Sequence, residues 1–217
     1  MDMLSTSSIS PVRPDYWNEA CEHLIKRDRI LRKLIPAYGD ECIQPCHTPF
    51  ATLSRIIVGQ QISLALGRSL WMRLTDACGG VPTAHCMLSY DEDTLRELGL
   101  SRRKAQYILE LARHCAGPGI DASRWAHMED AAIVAELCAI RGVGRWTAEM
   151  FLIFNLRRPN ILPLDDAALL RAISHHYFSG EPVSRFEARE VAQAWAPWRT
   201  VASWYLWRSM DAAAVEY

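Results

Sequence analysis

What this chain lacks narrows it quickly. No apolar run approaches the roughly 20 residues needed to cross a bilayer. Even the stretch from Met150 to Phe154 soon reaches Asn155, Arg157 and Arg158, so no membrane partner is expected. The segment from Met1 to Pro14 has neither a basic start nor a sustained apolar stretch, which argues against a signal peptide and for a cytoplasmic protein. Charge of one sign is also missing: 24 Lys and Arg against 25 Asp and Glu leave a net charge of −1. That balance does not by itself point to nucleic acid, so any DNA contact must use a local patch. Seven cysteines, an odd number at irregular spacing, argue for reduced thiols rather than a disulfide framework. Cys42, Cys46 and His47 form the one local cluster, read as packing because no fourth zinc ligand lies near. His175 and His176 are adjacent, project to different sides of a helix, and are read as surface residues.

What is present is helical. A chain of 217 residues that is 50% hydrophobic can build one sizeable core or two small lobes sharing a cleft. Apolar residues recur at spacings of three and four, strict alternation is scarce, and the pattern predicts an all-α fold of about ten helices. One buried stripe spans about 16–35, ended by Pro36 and Gly39. Thr48-Pro49 caps and opens a second helix running through Ile57. Further helices are expected over about 63–77, 83–89, 91–98 and, capped by Ser101, to about Cys115. Others follow over 129–139, 145–155, 166–177, 184–194 and 198–210.

Two segments carry chemistry. Ile140-Arg141-Gly142-Val143-Gly144-Arg145-Trp146-Thr147-Ala148 sets two close glycines before a helix, so the backbone can turn with its amides exposed, a geometry suited to gripping a phosphate. After one short apolar helix comes Leu162-Pro163-Leu164-Asp165-Asp166. Asp166 starts a helix, where free amides and the helix dipole favour an ionised carboxylate. Such a group can stabilise positive charge on a sugar, or simply cap the helix. Trp195, Trp198, Trp204 and Trp207 are half of the eight tryptophans. Most of that run must be packing, which Trp204 and Trp207 fit best.

The hairpin followed by this aspartate loop resembles the helix-hairpin-helix base-excision DNA glycosylases, and among them the DNA-3-methyladenine glycosylase II branch. The resemblance covers about residues 48–210. It implies a central helical lobe, 48–160, holding the helix-hairpin-helix. A second lobe is made by 1–47 with 161–217, the active-site cleft lies between the two, and no N-terminal β domain is expected. Matching the family pattern makes Asp166 the catalytic residue and leaves Asp165 to cap the helix or touch the DNA backbone. Trp146 stands where strand-cutting relatives carry a Schiff-base lysine, which implies a monofunctional enzyme that leaves an abasic site.

The resemblance also assigns a base pocket to Trp146, Trp198, Met150 and Ala167, the last two replacing tyrosines of the family. Trp146 alone would read as a core tryptophan on a first helical turn. The family's strand-invading loop corresponds to 57–63, with Gln60, Gln61 and Ser63 facing DNA and Gln61 at the wedge position; a polar cap between two helices is the other reading. Phosphate contacts are expected from Gly142, Gly144, Arg141, Arg145 and Thr147, and from Arg102 and Lys104 in a basic block at the start of a helix. Relatives hold a monovalent cation on hairpin carbonyls, which corresponds to Gly142 and Gly144 here. The four-cysteine iron–sulfur cluster of some strand-cutting relatives has no counterpart, since no cysteine follows Cys138. No organic cofactor and no catalytic metal are implied.

The expected function is thus hydrolytic release of alkylated purines, of the 3-methyladenine and 7-methylguanine type, from damaged double-stranded DNA by a monomer. Two alternatives stand beside it: a glycosylase for oxidised, deaminated or mismatched bases, and a non-catalytic helix-hairpin-helix DNA-binding protein.

Overall fold

Side-chain oxygens start many of the helices in this chain. The computed structural model describes residues 13–44, 47–117, 120 and 122–211, all helix or connecting loop, with no strand among them. The first two helices are α1 (Trp17–Arg27) and α2 (Leu31–Ala37). Then come α3 (Pro49–Gly59), α4 (Leu64–Ala77), α5 (Ala84–Leu88), α6 (Glu92–Glu97), α7 (Arg102–Ala116) and α8 (Ala122–Trp125). The hairpin helices are α9 (Asp130–Cys138) and α10 (Arg145–Phe154). After them the chain forms α11 (Ala167–Tyr177), α12 (Arg185–Val191), a 3-10 turn (Ala192–Trp195) and α13 (Arg199–Met210). Thr48, Ser63, Thr83, Asp91, Ser101, Asp166 and Ser184 each accept a backbone N–H of the helix that follows, which satisfies one of the donors a helix start leaves open.

Two expectations are corrected. The single stripe over 16–35 is two helices, because Asp28 is extended and its Oδ1 accepts the amides of Ile30 (2.8 Å) and Leu31 (2.9 Å), starting α2 anew. Cys78 and Cys86 form a disulfide with a Cα–Cα distance of 6.1 Å, tying the end of α4 to α5, so these two are not reduced thiols. Short α8 went unpredicted; His175 is exposed and His176 half-buried, with their rings edge to face at 4.8 Å.

Burial organises the rest. From Thr147 to Phe154 every residue of α10 is buried, as is every residue of α13 from Thr200 to Trp207. Around α10 pack α3 and α9, with α7 on α3, α5 and α6; around α13 pack α11, α2 and α1. The helices flanking the chain's two ends are thus neighbours. Asp28 locks that contact: its Oδ2 accepts the Tyr177 hydroxyl (2.8 Å) and the Trp195 indole N–H (3.0 Å).

Candidate active site

The hairpin between α9 and α10 is shaped by one glycine more than by the other. Gly142 has φ +92, and an added Cβ would overlap the Tyr107 ring, meeting its Cδ2 at 2.6 Å. Gly144 is the residue before α10 and an added Cβ would meet nothing within 4 Å. Space is therefore open beside Gly144, at the start of α10, where the first amides lack intrahelical acceptors. Gln60 fixes the hairpin from α3: its Nε2 donates to the Gly142 carbonyl (3.0 Å) and to Thr147 Oγ1 (2.8 Å). Lys104 Nζ donates to the Val58 carbonyl (2.7 Å), closing the end of α3.

A cleft of about 750 Å³ opens beside this hairpin. It is lined by the end of α3 and the loop after it, by Arg103 and Tyr107 of α7, by the hairpin with Trp146, Thr147, Met150 and Phe154 of α10, and by Asp165 to Ala168, Arg171 and Trp207. The carboxylate of Asp166 is the focus. Its Oδ1 accepts the Leu169 amide (2.6 Å) and the Trp207 indole N–H (2.9 Å), and its Oδ2 accepts the Trp146 indole N–H (2.9 Å). Three N–H groups thus converge on one carboxylate that still borders the cleft. A fixed negative charge among aromatic and apolar walls can stabilise positive charge forming on a bound molecule.

A profile of HhH-GPD superfamily base excision DNA repair proteins matches residues 54–197. The chain belongs to that superfamily. It is 33% identical over 172 residues to Bacillus subtilis YfjP, whose name places it with the DNA-3-methyladenine glycosylases. That match covers 76% of this chain, which spans only 60% of the relative. Identity to the Schizosaccharomyces pombe alkylbase DNA glycosidase-like protein mag2 is 29% over 198 residues, covering 88% of this chain and 93% of the relative. The solved structure of the Schizosaccharomyces pombe 3-methyladenine DNA glycosylase in complex with abasic DNA aligns with a TM-score of 0.79 at 25% identity, covering 88% of this chain and 96% of that one.

Against this superfamily's expected roles, the structure brings Asp166, Trp146, Met150, Ala167, Gly142, Gly144, Thr147, Gln60 and Gln61 to the cleft. Other residues lie elsewhere. Trp198 does not line the cleft; its ring stacks on Tyr16 at 5.7 Å. Trp198 and Trp207 stand about 13 Å apart along α13 by helical rise, and the later tryptophan reaches the cleft. Asp166 caps α11, while Asp165 pairs with Arg185 at 2.7 Å. Ser63 spends its hydroxyl on the α4 cap, and Thr147 is buried and bound to Gln60. Burial also lowers the pKa of the Lys104 ammonium.

The exposed cations Arg141 and Arg145 of the hairpin, and Arg102 at the start of α7, already have partners. Arg141 pairs with Glu110 (2.6 Å), Arg145 with Glu149 (2.8 Å) and Arg102 with Glu92 (2.8 Å). Arg103, part of the basic block read from the sequence, lies over the Tyr107 ring at 5.8 Å and lines the cleft; sequence reasoning missed Arg171, which lines it too. Arg171 follows Ala167 by four residues, one helical turn along the same face, which was a usable signal. The Gly142 carbonyl, expected near a monovalent cation, accepts Gln60. Of the Cys42, Cys46 and His47 cluster, Cys46 lies outside the described residues; among those described, no group of three His, Cys, Asp or Glu is placed to hold a metal.

Proposed function

We propose that this chain is a monofunctional DNA glycosylase that everts alkylated purines from duplex DNA and releases them by hydrolysis. The observation that carries the reading is the three-donor Asp166 carboxylate at a cleft beside an open helix start. Membership in a base-excision repair superfamily and the names of its glycosylase relatives support it. Phosphate is gripped at the first turn of α10, which Gly144 leaves accessible. A methylated purine is cationic. When its C1′–N bond breaks, the electron pair leaves with the base and neutralises it, positive charge passes to the sugar beside Asp166, and water adds at C1′ with loss of a proton. The products are the free base and an abasic site. Trp146 cannot form a Schiff base with that site, so the strand stays intact.

Gln61 is the wedge in this reading. It is exposed, borders the cleft and has φ +56, a strained conformation for a non-glycine residue held between the anchored Gln60 and the Ser63 cap. A side chain pushed into the vacated stack offsets part of the cost of eversion. The central segment 48–160 forms one lobe and both chain ends the other, a division supported by the packing of α1 and α2 on α13. The working form is a cytoplasmic, DNA-associated monomer.

Incubating the purified protein with methylated DNA tests the whole. The expected products are free 3-methyladenine and 7-methylguanine, with strand breaks only after added alkali. No freed base, or breakage without alkali, contradicts the proposal.

A further inference from the structure

Trp146 and Trp207 come from different helices, α10 and α13, and each donates its indole N–H to a different oxygen of Asp166. This pairing is not the default fate of tryptophan in this chain: among the described residues, the buried indole nitrogens of Trp125 and Trp204 have no hydrogen-bond partner. Trp207 is itself immobilised, buried and stacked on Phe154 with centroids 5.9 Å apart and planes 23° from parallel. A carboxylate oxygen has about two acceptor directions. Oδ1 uses both, on Trp207 and on the Leu169 amide, whereas Oδ2 uses one, on Trp146.

We infer that Trp207 and Trp146 are positioning residues for base release: together they fix the carboxylate plane and leave a single acceptor direction, on Oδ2, for the sugar cation or the attacking water. The inference rests on the base-release reading above and adds the residues that make its carboxylate effective. Electrostatic stabilisation depends on a charge held in place before the reaction, since a carboxylate free to swing must be reoriented at the moment charge develops. Asp166 sits at a helix start with only its own cap bond to orient it; the two indoles supply what the cap cannot.

The test compares wild type, Trp207→Phe and Trp146→Phe in single-turnover release of 7-methylguanine from methylated DNA at saturating protein. Affinity for abasic-site DNA and melting temperature are measured alongside. Phe keeps a six-membered aromatic ring and removes the pyrrole ring that carries the N–H donor. Loss of one hydrogen bond to a charged group predicts a rate about 10- to 100-fold slower in each variant, with affinity unchanged and melting temperature lowered only modestly, more for the buried Trp207 than for Trp146. Release at the wild-type rate in both variants overturns the inference. So does a slowing matched by an equal loss of affinity or a collapse in melting temperature, which would mark the indoles as packing. If Trp207→Phe alone fails to fold, the half-buried Trp146 decides the matter by itself. A wild-type protein that frees no base fails the underlying reading instead, and is recognised before any variant is compared.

Discussion

Two aspartates in this chain use the same bonds to opposite ends. Asp28 accepts two amides at the start of α2, a tryptophan N–H and a tyrosine hydroxyl. Asp166 accepts one amide at the start of α11 and two tryptophan N–H groups. Asp28 is 6% exposed and joins elements far apart in sequence, whereas Asp166 borders a cleft. Capping a helix and binding an indole are therefore not marks of a functional carboxylate. Under the proposed function, access separates the two: Asp28 is sealed, whereas a ligand in the cleft can reach Asp166.

The comparison can be broken by stability measurements. Asp28→Ala leaves two amides, a hydroxyl and an indole N–H without their acceptor in the interior, and is expected to cost on the order of 3–5 kcal/mol in urea unfolding. Asp166→Ala removes a cap and leaves two indole N–H groups beside the open cleft, and is expected to cost less, about 2 kcal/mol. Equal losses would mean that Asp166 is as much a structural strut as Asp28.

The two hairpin glycines sharpen the same division. Gly142→Ala forces a Cβ into the Tyr107 ring at a positive φ, and a melting shift equivalent to about 2 kcal/mol or more is expected. Gly144→Ala meets open space, so its fold should be unchanged while affinity for DNA falls several-fold through obstruction of the phosphate approach. A Gly144→Ala protein that melts early and binds normally would reverse these roles.

The smallest effect concerns Glu149. Burial raises its pKa, with Arg145 opposing, and its Oε2 has no hydrogen-bond partner. A carboxyl whose folded pKa is raised binds its proton more readily in the native state, so its contribution to stability improves as pH falls toward the ordinary value of 4.5. Glu149→Gln is expected to be more stable than wild type at pH 7 by less than about 1 kcal/mol, with the gap closing toward pH 4.5. Urea unfolding across that range checks the sign; a variant less stable at pH 7 would show that the Arg145 pair outweighs burial.

Legibility in the sequence follows the range of the interactions. Helix starts at Thr48, Ser63 and Ser101 were readable because a cap bonds an amide three residues away. The hairpin glycines were readable because two close glycines before a helix mark a turn, and Asp166 was readable as a cap by itself and as a candidate catalytic group only through the family resemblance. The break at Asp28 rests on an equally local cap, on the amides of Ile30 and Leu31, but the apolar spacing runs on across it and masked it; its bonds to Tyr177 and Trp195, at the far end of the chain, were out of reach. Choosing between Trp198 and Trp207 also failed: composition marks both as buried aromatics, and only the placement of α13 decides which one meets Asp166. The Cys78–Cys86 bond depends on how the Gly79-Gly80 turn folds α4 back toward α5, which an odd cysteine count conceals. Basic residues near the hairpin were legible as a group, but the carboxylate partners of Arg141 and Arg102, which lie on other helices, were not.

The central claim is that the Asp166 carboxylate faces the reacting sugar. Single-turnover release of 7-methylguanine from methylated DNA by Asp166→Asn tests it most directly, because Asn also caps helices well and keeps the side chain's size. The account predicts release slowed by on the order of 10²-fold or more, with affinity for abasic-site DNA retained. Release by Asp166→Asn at the wild-type rate would contradict it.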